Sequence, residues 1–272
     1  MTWLAGADGC RGGWVVVLVD YKAGKIRNHH LTRCPTFADI LALQPKPEII
    51  AIDIPIGLLD TPQPGGRVCD HLARKLLGRR ASSVFSPPIR PMLETTCYEQ
   101  VRTQGLSIQA FGILPKIREV DQLMTPELQR VVHESHPELT FMALAGTPMQ
   151  KNKKTREGRE ERLLALEQGS EQLSRGIRIR LSKSLGTTRD SHADPSFVLS
   201  VAERSRRGHK EERFSQKDKK HRLSTLIIAA PDDIIDAHVL AWTAIRIKTG
   251  QARQVPAKPP LDQKGLRTEM WY

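Results

Sequence analysis

Thr2-Trp-Leu-Ala-Gly-Ala-Asp-Gly-Cys-Arg-Gly-Gly-Trp-Val-Val-Val-Leu-Val19 is the stretch that decides the fold. Thr2–Asp8 and Trp14–Val19 are apolar and β-branched, and the Gly9-Cys10-Arg11-Gly12-Gly13 segment between them is turn chemistry. The pair therefore reads as a β-hairpin. Working outward, Lys25–Leu31 reads as a third, edge-like strand. Thr36 is placed to cap a short helix through Leu43, with Phe37, Ile40 and Leu41 on one face. Glu48–Ile54 is a near-continuous apolar run, as expected of a strand covered on both faces. A helix over Val68–Leu77, stopped by Gly78, and a short buried strand over Val131–Glu134 follow. Thr155–Gln168 and Asp232–Lys248 read as helices, the second with Pro231 at its first position. The alternation predicts an α/β domain with a mixed sheet.

Charge is unevenly spread along this frame. The 272 residues carry 42 Lys and Arg against 30 Asp and Glu, a formal +12. Between Gly169 and Arg222, 14 basic residues face 7 acidic ones, and only 12 of the 54 residues are hydrophobic. That is too little to bury a core, so 169–222 reads as a basic, flexible insertion. Residues 1–168 and 223–272 then form one domain around it. A short strand at Ser196–Val201 is the one element expected inside the insertion. The basic surplus makes a polyanionic partner plausible. No apolar run approaches the roughly 18 residues of a membrane span, and the N-terminus lacks a signal-peptide pattern. Cys10, Cys34, Cys69 and Cys97 form no CxxC pair, so neither a zinc site nor a disulfide scaffold is expected. These features point to a cytoplasmic protein with free thiols and no membrane contact.

Acidic residues stand where acid is costly. Asp8 closes an apolar strand, and Asp53 lies inside Ile-Ile-Ala-Ile-Asp-Ile-Pro-Ile. Glu134 ends Val-Val-His-Glu, and Asp236 follows Asp-Asp-Ile-Ile at the start of the last helix. A carboxylate in a low-dielectric setting is protonated, paired or bound to a cation. Four that meet at one sheet edge call for a divalent ion, and an all-oxygen set suits Mg²⁺ or Mn²⁺. Each residue also has a plainer reading. Asp8-Gly9 is turn chemistry, Asp53 can anchor a loop through backbone N–H groups, and Glu134 can pair with an arginine. Asp232 and Asp233 are best read as complements to the helix dipole, although Asp232 shares a face with Asp236. Arg67, Asp70 and Arg74 are spaced along one helix face, and Arg79, Arg80, Ser82 and Ser83 follow. Arg74, Arg79, Arg80, Ser82 and Ser83 are candidate phosphate contacts. The plainer reading is an Asp70–Arg74 ion pair and a solvated arginine end. His136, before a proline, reads as structural.

Eight blocks in order carry a family resemblance. They are Ala-Asp-Gly-Cys-Arg-Gly-Gly-Trp (7–14), Ile-Asp-Ile-Pro-Ile-Gly-Leu (52–58), Leu-Gly-Arg-Arg-Ala-Ser-Ser-Val-Phe (77–85) and Ile-Arg-Glu-Val-Asp (117–121). Glu-Ser-His-Pro-Glu-Leu-Thr-Phe (134–141), Lys-Thr-Arg-Glu-Gly-Arg (154–159), Asp-Ile-Ile-Asp-Ala-His (233–238) and Lys-Gly-Leu-Arg-Thr-Glu-Met-Trp-Tyr (264–272) complete the set. The chain resembles domain of unknown function 429, a family regarded as predicted nucleases. The resemblance implies a ribonuclease-H-like mixed sheet of about five strands flanked by helices. It also implies Asp8, Asp53, Glu134 and Asp236 as the acids of the site, each matched in its own block. The basic insertion is not part of that pattern. The first helix offers only Asp39, so the acids look closer to those of resolvase-type relatives. On this basis the expected function is a metal-dependent nuclease acting on DNA or RNA, with two Mg²⁺ or Mn²⁺ ions about 3.5–4 Å apart. Two alternatives stand beside it. One is a non-catalytic nucleic-acid-binding module on the same fold. The other is an actin-like nucleotide phosphotransferase, to whose phosphate loops Asp8-Gly9-x-x-Gly12-Gly13 is similar.

Overall fold

The computed structural model describes residues 1–170, 173, 197–200 and 226–272. Strands β1 (Thr2–Cys10), β2 (Gly13–Lys22) and β3 (Lys25–Cys34) form an antiparallel meander. The hairpin is tighter than its sequence suggested, because pairing runs through Gly9 and Cys10 to Gly13 and leaves only Arg11-Gly12 as the turn. Thr36 caps α1 (Phe37–Leu41) by accepting from the Asp39 amide, while the Asp39 carboxylate accepts from the Thr36 amide. Strand β4 (Ile49–Ile52) then pairs parallel with β1. After α2 (Val68–Leu77), α3 (Tyr98–Arg102), α4 (Ile108–Gly112) and α5 (Leu114–Leu123), strand β5 (Val132–Glu134) pairs parallel with β4. The sheet order is β3-β2-β1-β4-β5, a mixed five-strand sheet flanked by helices, in keeping with the ribonuclease-H-like architecture expected from the resemblance.

Helices α6 (Pro137–Ala145), α7 (Arg156–Gly169) and α8 (Pro231–Lys248) follow. Most of the expected insertion, 169–222, lies outside the described residues. Its expected strand appears as β6 (Phe197–Ser200), antiparallel to β7 (Leu226–Ala229). A small ladder of β8 (Gln254–Val255) and β9 (Met270–Trp271) closes the chain.

Side chains alternate across the sheet and bury both faces. Leu4, Val15, Val17, Val19 and Ala51 pack on one side against Phe141, Leu163, Leu166, Ile235, Leu240 and Ala244 of α6, α7 and α8. Ala5, Ala7, Trp14, Val16, Ile50, Ile52 and Val132 pack on the other against Phe37, Ile40, Ile117 and Val120 of α1 and α5. Gly6 sets how closely α8 approaches. A Cβ there would lie 2.1 Å from the Ala241 nitrogen and 2.3 Å from the Ala237 oxygen. Only glycine lets the helix backbone rest on β1, which delivers the first turns of α8 to the strand ends carrying Asp8 and Asp53.

Candidate active site

The site grows from that register. Ala7 pairs with Ile52, and the Asp53 amide donates to the Ala7 carbonyl at 3.0 Å, so Asp8 and Asp53 leave adjacent strands at the same level. Asp8 has the parity of Gly6 and Asp53 that of Ala51, so both turn toward α8. Asp236, in the second turn of α8, is 1% exposed, and its Oδ2 accepts from Lys153 Nζ at 2.7 Å. Asp233, one turn earlier, accepts from the Ala230 amide at 3.3 Å.

The four carboxylates disturb one another. Burial raises the Asp8 pKa well above its ordinary value, and the charges of Asp53, Asp236 and Asp233 push the same way. Asp53 is raised by burial, partly offset by His136 and Lys153. Burial carries Asp236 up to about 6 against the pull of Lys153. Asp233 also reaches about 6, through burial and then the charge of Asp232. For Lys153 burial opposes the charge, but attraction to Asp236, Asp8 and Asp53 outweighs it and the pKa rises. Four carboxylates thus share one ammonium.

These groups line a cavity of about 760 Å³ whose other walls carry Arg11, Arg80, Ser82, Ser83, Lys116 and His136. The Lys116 ammonium, from α5, donates to the Gly13 carbonyl at 2.6 Å and sits 4.8 Å from the Trp14 ring centre. Three of the lining side chains keep a buried polar atom without a hydrogen-bond partner among the described residues: Arg80 Nε, His136 Nδ1 and Glu138 Oε2. Buried polar atoms are normally satisfied, so the cavity is prepared for a polar occupant.

Glu134 lines the same cavity, with Arg67 and Asp70, but does not join the aspartates. It pairs with Ile52 in register and therefore points to the opposite sheet face. There Arg67 Nη2 and Nη1 donate to its Oε1 and Oε2 at 2.6 and 2.7 Å, and the Ile56 amide donates at 2.6 Å. Arg67 also holds Asp70 at 2.7 Å, so the pair expected between Asp70 and Arg74 is made with Arg67 instead. Burial lifts Glu134 to about 7 even against the guanidinium. The basic candidates divide as well. Arg74 is spent on the Val84 and Gly65 carbonyls and the Ser86 hydroxyl, and Arg79 on Gln150. Arg80 lines the cavity beside Ser82 and Ser83, with Nη2 on Glu138 at 3.2 Å.

Two residues of the carboxylate cluster itself were not picked out from the sequence. Asp233 had a signal, three residues before Asp236 on one helix face. Lys153 had none, lying in the charged run Lys-Asn-Lys-Lys.

Among the described residues, no three His, Cys, Asp or Glu side chains are gathered closely enough to hold one ion. The chemistry of the donor set nevertheless fits a hard divalent cation. Asp8, Asp53, Asp236 and Asp233 offer only oxygen, and burial, with repulsion from neighbouring acids, keeps their pKa values raised despite the Lys153 ammonium. The family described as "Protein of unknown function (DUF429)" matches residues 6–261. No curated protein and no solved structure matches the chain. Among the described residues no helix is long and apolar enough to cross a membrane.

Proposed function

The chain belongs to the DUF429 family, whose description assigns no activity, and we propose from the site that it is a metal-dependent nuclease hydrolysing phosphodiester bonds of nucleic acid. The observation that carries this reading is the meeting of Asp8, Asp53, Asp236 and Asp233 around one lysine in a cavity walled by arginine, lysine and hydroxyl groups. Asp8, Asp53 and Asp236, with Asp233 beside them, would hold Mg²⁺ or Mn²⁺. A bound ion of this kind polarises the phosphoryl oxygen and lowers the pKa of water. The chain does the rest. Arg80 and Lys116 line the same cavity and are placed to donate to phosphate oxygens, and Ser82 and Ser83 add hydroxyl donors. Glu134 acts indirectly, since its bonds to Arg67 and the Ile56 amide fix the loop that leaves Asp53.

The test is hydrolysis of labelled single-stranded, duplex, hybrid and branched substrates with Mn²⁺. The Asp8→Asn/Asp53→Asn double variant is expected to lose about 10²- to 10³-fold, as when charge-stabilising groups are removed from other active sites. Equal rates in wild type and variant sink the reading. Binding without turnover in both would instead favour a nucleic-acid-binding module on this fold. Hydrolysis of ATP alone would favour the phosphotransferase.

A further inference from the structure

We infer that the Lys153 ammonium is a built-in cation of the carboxylate site, so that the site takes up one divalent ion rather than two. This rests on the metal-dependent reading above and sharpens it.

The loop that carries Lys153 is held from both sides. The Glu161 carboxylate accepts from the Gln150 and Lys151 amides at 2.7 and 2.8 Å. Arg162 Nη1 donates to the Lys151 carbonyl at 3.2 Å. On the other side, the Asn152 carbonyl accepts from the Thr155 amide at 3.0 Å and from its hydroxyl at 2.9 Å. The Thr155 hydroxyl in turn caps α7 by accepting from the Gly158 amide at 3.0 Å. The fit is close enough that a Cβ on Gly158 would lie 1.8 Å from the Asn152 oxygen. The loop is thus fastened to the first two turns of α7, and its half-buried lysine is aimed at Asp236 rather than at water.

The position decides the chemistry. The ammonium engages Asp236 Oδ2, one of the donors a second ion would need, and it is drawn also by Asp8 and Asp53. The ammonium already supplies one of the positive charges these carboxylates call for, and a second divalent ion would have to displace or oppose it.

The experiment counts ions. Mn²⁺ is titrated into the metal-free chain by calorimetry, with free Mn²⁺ read in parallel by electron paramagnetic resonance. Wild type and Lys153→Arg are expected to bind one ion per chain, and Lys153→Gln two. Two ions in wild type, or one in both wild type and Lys153→Gln, overturn the inference. If Lys153→Gln does not fold, the wild-type and Lys153→Arg counts still decide, since two ions in either overturns it and one in both supports it. The readings fail separately. Two ions with Mn²⁺-dependent hydrolysis remove this inference alone, while no ion bound removes the nuclease reading together with it.

Discussion

Two groups of buried acids border one cavity, and they are handled in opposite ways. In one, Glu134 and Asp70 surround Arg67, which is 1% exposed. Its Nε and both terminal nitrogens donate to the two carboxylates, and Nη1 also reaches the Ile56 and Gly57 carbonyls at 3.0 and 3.1 Å. In the other, toward α8, Asp8, Asp53, Asp236 and Asp233 share Lys153, with His136 beside Asp53. Asp8, Asp53 and Glu134 end neighbouring strands, and their place in the register decides which way each one faces. The satisfied cluster is a fastening for the loops around β4 and β5. The under-compensated cluster is a site.

The largest effect that can break this contrast is on stability. Arg67→Met leaves Glu134 and Asp70 buried without their cation and is expected to cost about 3–5 kcal/mol. Asp8→Asn should cost nothing or stabilise by about 1 kcal/mol, as relief of strain at functional sites often does. Urea unfolding at neutral pH without metal measures both. Similar losses in the two variants would mean that the two groups are equivalent and that the aspartates too are structural.

Much of this was legible in the sequence, and what was not has a physical reason. The β-branched runs and the Gly-rich turn announce the hairpin, and Asp8, Asp53 and Asp236 are visible as acids inside apolar elements. Glu134 was grouped with them because burial was read without facing. Facing depends on the register between β4 and β5, and a one-residue shift would reverse it. Lys153 was hidden because its place is set by Glu161, Arg162 and Gly158, contacts that no local periodicity encodes. Helix α6 buries five consecutive residues, Pro137–Phe141, and so shows no amphipathic stripe to read, whereas α5 carries one in Leu114, Ile117 and Val120 that the sequence reading passed over.

A smaller effect sharpens the contrast through pH and metal together. Asp236 and Asp233 titrate near 6 in the fold, from an ordinary value of 3.8, and Glu134 near 7, from 4.5. A carboxyl whose folded pKa is raised binds more protons folded than unfolded, so stability falls as pH rises between the two values. The metal-free chain is therefore expected to weaken from about pH 4 to pH 7. A divalent ion should abolish the aspartate share, below about pH 6, and leave the Glu134 share between about 5 and 7. At a hundred-fold excess over Kd the ion adds about 2.7 kcal/mol at neutral pH. Urea midpoints with Mn²⁺ and with chelator, taken across this range, are the measurement. A pH dependence that Mn²⁺ leaves unchanged would contradict the division of labour.

The smallest effect tests whether the same division runs through the basic residues. The Arg74 guanidinium is bonded from Nε, Nη1 and Nη2 to the chain's own oxygens, and Arg74 does not line the cavity. Arg80 lines it, with one terminal nitrogen on Glu138 and an Nε that has no partner among the described residues. A phosphate contact releases condensed counterions, so removing one flattens the plot of log affinity against log salt by about 1. Arg80→Ala is expected to flatten it by that amount, and Arg74→Ala to leave the slope of any folded protein unchanged. Fluorescence anisotropy of a labelled oligonucleotide over a salt series, without metal so that nothing is cleaved, reads both. The Arg74 variant also guards against a misreading, because losing its bonds to Val84 and Gly65 loosens the loop that carries Arg80. A general weakening at constant slope is the sign of that loosening, and a change of slope is the sign of a lost phosphate. If Arg74→Ala flattens the slope as much as Arg80→Ala, phosphate is held on the outer face of α2, and the cavity is not where nucleic acid meets the carboxylates.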